Sequence, residues 1–553
     1  YAKVVDSIIY AAEAIREGKT IPAPTSDGKL GSPQPKYEAR KLTLGDHLYT
    51  DDVRIEGMLY GALKFSEYPR AKVLKIHTQA AEAVAGVLCV FTADDVPGDR
   101  HIGLIKQDWV AMIAEGEVTH YVGDVVASVV AESESIAREA LSKIKVEYEA
   151  LEVVSDMHAA LKPESPKVHA GDEDNILARV AFQRGDLTEA RAKSAYISEG
   201  IYETQRIEHA FMEPETALAY PKEDGVEVLS QGQGVYEDRK QIAKLLRLPL
   251  DKVRVILHSN GGGFGGKEDL TVQGHAALMA KLLQQPVKVR LTRDESIMMH
   301  PKRHPIWMDY SLGCDENGKL TFLKARFVGD TGAYASVGAE VLGRAAGHAS
   351  SAYHVPATDV EALAVYTNNI PCGAMRGFGV NQAAFALENC IDDLCEQGGF
   401  DRWQFRYDNA LLEGAMTATG QMLEGGVGVR ASLEAVKDAF QQGKYAGIAV
   451  GLKNTGIGNG IPDEASARIS ILAADKVIID HGWTEMGQGV NTIATQVLCS
   501  ETGIHPDIVE VHVDTAAEQI AGMTTASRAT SLVGNAIISA CRDLKEDLKK
   551  KSL

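Results

Sequence analysis

Three short glycine-rich stretches constrain this chain most: GGGFGGKE at residues 261–268, AMRGFG at 374–379 and TEMGQG at 484–489. Each precedes a run of helical periodicity, and the first and third follow the strand-like runs KVRVILH and KVIIDHG. Glycine lets main-chain N–H groups come close to an anion, and a helix N-terminus adds unpaired amides and the positive end of a dipole. Three such junctions together predict one large anionic ligand. Taken alone, the first has a flexible turn as its bland alternative. The phosphate-loop pattern fails because no Ser or Thr follows Lys267, and the dinucleotide fingerprint fails on glycine spacing and the intruding Phe264.

The rest of the chain alternates short apolar runs with amphipathic ones, so the predicted fold class is α+β (mixed α/β). Val4, Val5, Ile8, Ile9, Ala12 and Ile15 recur at helical spacing, predicting an opening helix with one buried face. Residues 21–43, with IPAPTSDGKLGSPQPK, bury too little apolar surface to fold alone and read as a linker. From residue 44 to about 155, MLYGALKF, AGVLCVF, DVVASVVAES and KVEYEAL read as strands and SIAREALSKI as a helix. Beyond it, strand-like runs (VEVLS, PVKVRLT, ARISILA) mix with helical ones (YEDRKQIAKLL, VQGHAALMAKLL, NQAAFALENCIDDLCE, SLEAVKDAF).

A net charge of -19 repels phosphate backbones, and no basic arm offers a local exception, so nucleic acid is not an expected partner. No apolar run approaches the ~20 residues that cross a bilayer, so no membrane partner is expected. Seven scattered cysteines without a C-x-x-C pair fit a reducing cytoplasm. Cys390 and Cys395, on one helical run, are expected to pack rather than react. His300 and His304 have a metal-site spacing, but Pro301 and Pro305 break the helix that would align them, so no metal is assigned there. With Tyr1 in first place and a charged helical pattern at the end, the sequence reads as an excerpt.

The three glycine stretches, in this order and at these separations, resemble the molybdopterin-contacting loops of the xanthine dehydrogenase and aldehyde oxidase family, and TTASRATSLVGNA at 524–536 resembles a fourth. The similarity runs from about Leu44 to the last residue. It implies an α/β hammerhead domain over 44–155, a first molybdopterin-binding domain over 156–430 and a second, incomplete, over 431–553. The opening segment is similar to the helix that ends the family's [2Fe–2S] domain, giving 1–20 to that domain. The implied cofactors are molybdenum–molybdopterin in its cytosine dinucleotide form, [2Fe–2S] clusters held upstream, and FAD on a separate subunit. An oligomer is expected.

Residue by residue, Gln233 matches the glutamine that hydrogen-bonds a molybdenum oxo ligand, with no protein side chain bound directly to the metal. Gly263, Phe264 and Gly265 match the main-chain approach to the metal, Gly487 and Gln488 match pterin contacts, and Ser527 belongs to the fourth loop. Arg376 is expected to hold its loop beside the metal. Glu268 and Arg344 match the acidic and basic positions that grip a purine, and Phe378 the ring that stacks on it. Ile457 falls where animal members carry a second aromatic. His209 and Glu213, in HAFMEPET, match a recurrent loop for which a structural role is expected. The bland alternatives are a solvated amide for Gln233 and a loop-fastening salt bridge between Glu268 and Arg344.

The resemblance implies hydroxylation of a purine such as xanthine or hypoxanthine, with water as oxygen source and electrons leaving through the pterin and iron–sulfur clusters. The family's base, a glutamate near the C-terminus, has no counterpart before Leu553, so the chain by itself is expected to be inactive. Three alternatives stay open: a hydroxylase of an aldehyde, nicotinate, carbon monoxide or another heteroaromatic; a non-catalytic cofactor-binding or maturation protein; and a dinucleotide-dependent dehydrogenase.

Overall fold

The computed structural model describes residues 2–21, 26–458 and 462–551. Three sheets organise it. The largest has seven strands in the order Val253–Leu257, Gly225–Ser230, Thr216–Lys222, Val287–Arg290, Leu59–Phe65, Val125–Ala131 and Val87–Phe91. Parallel pairing of Leu59 with Val287 joins strands from either side of residue 155 into one sheet. VVASVVA can be a central strand because every residue in it is apolar or small, and all seven are buried. Helix Val272–Leu283, apolar almost all round, lies against this sheet with Val272 to Ala280 buried.

The second sheet orders Ile176–Arg184, Ala357–Tyr366, Leu320–Gly332, Ile306–Cys314 and Tyr196–Thr204, and carries helices Gly338–Gly347 and Val380–Gly398. The third is small: Ala467–Ala473, Lys476–His481 and Val509–His512, packed with helices Val490–Thr502 and Ala529–Lys551 around Trp483 and Ile479.

Two expectations from sequence are corrected. The opening helix forms at Ala2–Glu17, but only Ala14 is buried, and Val4, Val5, Ile8, Ile9 and Ile15 all face solvent. The linker, in turn, is not free. Residues 22–25 lie outside the described residues, but from Ser26 onward the segment is hydrogen-bonded to the helix Val490–Thr502 and its surroundings. Leu30 N donates to Ser500 Oγ at 2.8 Å, Tyr37 N to Thr492 Oγ1 at 2.9 Å, and Val511 N to Tyr37 Oη at 2.9 Å. Polar main-chain pairing does here what its composition cannot do by apolar burial.

Candidate active site

Each sheet delivers one glycine loop to the same place. The first loop leaves the edge strand Val253–Leu257, the second follows Ala357–Tyr366 and opens helix Val380–Gly398, and the third leaves Lys476–His481 and opens Val490–Thr502. The fourth comes just before Ala529–Lys551, so only residues 524–528 of the expected loop are non-helical. All four wall a cavity of 690 Å³ lined by Gln233, Phe264, Met375, Arg376, Gln488 and Ser527 among others. Gly265 and Gly487 line it too, whereas Gly263 sits behind the wall.

Gln233 ties the loops together. Its Oε1 accepts from Gly265 N at 2.9 Å and Lys267 N at 3.4 Å, and its Nε2 donates to Thr524 O at 3.1 Å and Glu268 Oε1 at 3.5 Å. With 2% of its surface exposed, the solvated-amide alternative is excluded. A Cβ on Gly263 would stand 2.5 Å from that Oε1, which explains the glycine. Gly265 has φ +104°, and a Cβ there would lie 2.6 Å from Ala374 O. The second loop is held in turn by Arg376 N, donating to Phe264 O at 2.9 Å, and by His209, whose Nε2 is 2.8 Å from Ala374 O. Arg376 therefore fastens its loop through the main chain, and its side chain is exposed on the cavity, which corrects the expectation for that arginine.

Two of the loops depart from the expected strand–glycine–helix-terminus arrangement. The first loop ends at Glu268, ahead of a helix that starts only at Val272. In the third loop Glu485 already caps the helix: its Oε1 accepts from Gly487 N (2.8 Å) and Gly489 N (3.0 Å), and its Oε2 from Asn491 N (3.2 Å). Gln488 likewise closes its own loop, accepting from Met486 N and donating to Thr484 O. The second loop runs directly into its helix, whose N-cap, Gly379, makes no side-chain cap.

Backbone strain gathers on this cavity. Phe264 (φ 56°), Phe378 (φ 54°), Ala526 (φ 59°) and Ser527 (φ 57°) all adopt the left-handed conformation without being glycine and all line it. Each such residue costs on the order of 1 kcal/mol and persists where surroundings over-determine it. Phe264 is also 46% exposed, an aromatic ring left open to the cavity.

Charge shows what the cavity would hold. Arg376 and Lys453 line it and pair with no carboxylate among the described residues, and burial together with Arg344 pushes the Lys453 ammonium down to about 8. Arg528 is neutralised by Asp463 at 2.6 Å. Among the described residues Glu268 is the sole carboxyl of the lining, and burial raises it to about 8, which favours the protonated form at pH 7. Two uncompensated cations facing a wall without an anion fit a multiply anionic group such as a phosphorylated pterin dithiolate.

A second cavity, of 340 Å³, shares Glu268, Phe378, Thr525, Ala526 and Arg528 with the first and adds Arg344, Glu340 and Ile457. The structure thus brings Glu268, Arg344 and Phe378 to one pocket. The salt bridge offered as the bland alternative is absent. Arg344 Nη1 donates to Asn454 Oδ1, and its Nη2 donates to Gly456 O (3.0 Å) and Ile457 O (2.7 Å). Glu268 Oε2 is buried without a partner.

Beneath the first loop lies a buried charge network. Lys267 pairs with Glu213 (3.4 Å), Lys302 with Glu208 (2.8 Å), and the His300 ring lies between Glu208 (2.8 Å) and Glu215 (3.1 Å). Glu208, His209 and His300 are close enough to hold a cation, but the carboxylates already have cationic partners. His304 lies apart, 3.2 Å from Thr331 Oγ1. Cys390 and Cys395 are buried, and burial raises both thiols. Sequence reasoning missed Lys453, Glu485 and Glu340. Glu340 had a usable signal, standing one helical turn before Arg344.

Residues 44–152 match the "Aldehyde oxidase and xanthine dehydrogenase, a/b hammerhead domain", and residues 168–410 and 428–552 each match a "Molybdopterin cofactor-binding domain". The chain is 35% identical to a probable xanthine dehydrogenase subunit of Bacillus subtilis, over 93% of this chain and 70% of that one. It is 36% identical to the nicotinate dehydrogenase large molybdopterin subunit of Eubacterium barkeri, over 74% of this chain and 96% of that one. Among solved structures, the aldehyde oxidoreductase of Desulfovibrio gigas superposes with a TM-score of 0.90 at 27% identity. That match covers 98% of this chain, which spans 63% of the length of the other.

Proposed function

The chain belongs to the xanthine dehydrogenase and aldehyde oxidase family of molybdenum oxidoreductases, and on that premise we propose that its pocket binds a purine for hydroxylation with water as oxygen source. One observation carries the reading: Glu268, Arg344 and Phe378 line a single pocket whose wall is shared with the cavity enclosed by the four loops.

When bound, the molybdenum cofactor supplies activation of water and acceptance of two electrons. Arg376, Lys453 and the main chain of the four loops would hold it, with Gln233 fixing the loops around it. Phe378 offers a flat apolar face to a planar ring. Glu268, whose protonated form is favoured at pH 7, donates a hydrogen bond to a ring nitrogen and fixes orientation. Arg344 keeps guanidinium protons beyond those used on the 454–457 loop and faces a ring oxygen on which negative charge grows during attack.

The same reading includes the cytosine dinucleotide form of the cofactor, electron exit through [2Fe–2S] clusters, FAD on a separate subunit, an oligomer and a reducing cytoplasm. The Bacillus relative is itself named as one subunit of its enzyme, which supports the division among chains, and seven free thiols support the compartment. A second reading takes nicotinate or an aldehyde as substrate. The similarity to the Eubacterium subunit favours nicotinate, whose carboxylate also suits Arg344.

Arg344→Met in the assembled holoenzyme tests the assignment. It lowers kcat/KM on xanthine by about 100-fold or more, the effect of removing one oriented donor, and leaves a small aldehyde within a few-fold. Equal losses on both substrates contradict it.

A further inference from the structure

Glu340 is an acidic side chain of the smaller cavity, partly withdrawn from solvent, that the purine reading leaves without a task. It sits in the first turn of helix Gly338–Gly347, four residues before Arg344, and both line the cavity. On a helix this spacing places two side chains on one face, with Cβ atoms ~5–6 Å apart. Yet they do not pair: the Arg344 guanidinium turns to Asn454, Gly456 and Ile457.

The other charges around the cavity are accounted for. Glu237 holds Lys240 at 2.8 Å, Asp463 holds Arg528 at 2.6 Å, and Glu464 is exposed at the rim. Glu340 is only partly exposed, and among the described residues no cation stands within salt-bridge distance of it. Burial raises its carboxyl. Its hydrogen bond inside the chain is to its own main-chain N–H, so a partly desolvated carboxylate without a cationic partner keeps acceptor capacity for a donor that arrives with the ligand.

We infer that Glu340 is a specificity residue that accepts a hydrogen bond from an amino group of the substrate, while Arg344, one turn along, takes an acceptor on the same edge. The inference rests on the purine reading above and narrows it to amino-substituted heteroaromatics. A helix-dipole role for Glu340 is the competing account, since acidic residues stabilise first turns. That role moves stability and leaves discrimination among substrates untouched.

The test compares purine, 2-aminopurine, 6-aminopurine and a small aldehyde in wild-type and Glu340→Gln holoenzyme, with calorimetric binding of the same purines to the dithionite-reduced enzyme as a readout independent of turnover. The wild type should prefer at least one aminopurine to purine. Glu340→Gln should remove about 10- to 100-fold of that preference, in kcat/KM and in affinity alike, with the aldehyde rate and melting temperature nearly unchanged. A wild type that hydroxylates purines without favouring either amine overturns this inference alone, as does a preference that survives in Glu340→Gln. A wild type inert towards every purine overturns the proposed function and this inference with it.

Discussion

At the scale of single residues, some side chains and main-chain groups of the site are locked by partners inside the chain and others are left open to the cavities. Gly265→Ala forces a Cβ to within 2.6 Å of a carbonyl oxygen at φ +104°. It should destabilise the protein by at least about 1 kcal/mol and lower cofactor content, which thermal melting and metal analysis check. Glu268 carries a pH signature. Its folded carboxyl titrates near 8, well above an ordinary glutamate, so the native state holds a proton that the unfolded chain releases. Stability is then unaffected below about pH 4.5 and falls as pH rises from there through 8. Glu268→Gln should raise the melting temperature at pH 8.5 and leave it unchanged at pH 4.5; a constant difference across that range contradicts the assignment. The placement of Gln233, Glu268, Arg344 and Phe378 around the glycine loops was an expectation of the family resemblance, and the cavities bring these residues together. Lys453 and Glu485 were not legible in sequence, because their roles come from missing or local partners that only coordinates reveal.

At the scale of elements, the runs read as strands and helices around the glycine loops recur in the fold, since continuous apolar runs and helical periodicity are strong local signals. The five-stranded sheet escaped that reading. In LTFLKARFVGDTG, of strand Leu320–Gly332, charged and small residues interrupt the apolar alternation, and its pairing with Ala357–Tyr366 is a long-range contact that no local pattern announces. The segment from Ser26 to Tyr37 misled for the opposite reason: its composition describes a free linker, but hydrogen bonds to Ser500 and Thr492 order it. Removing both hydroxyls with Ser500→Ala and Thr492→Ala should speed amide exchange across residues 28–37, each bond being worth about 1 kcal/mol, with little change in global melting. Unchanged exchange there would show that the strap is held by something else.

At the scale of the whole molecule, three sheets from separate stretches of chain each project one loop into a common cavity, and the smaller pocket opens off its wall. No single motif encodes that convergence. It follows from sheet order and from the tie that Gln233 makes between the first and fourth loops. The central claim is that this enclosure exists to hold one molybdenum–pterin group. The most direct test is the quantitation of molybdenum and of the oxidised, fluorescent pterin in the purified, assembled protein, beside a Gln233→Ala variant. The account predicts one of each per chain in the wild type and a marked loss of both in the variant; a folded wild-type protein carrying neither contradicts it.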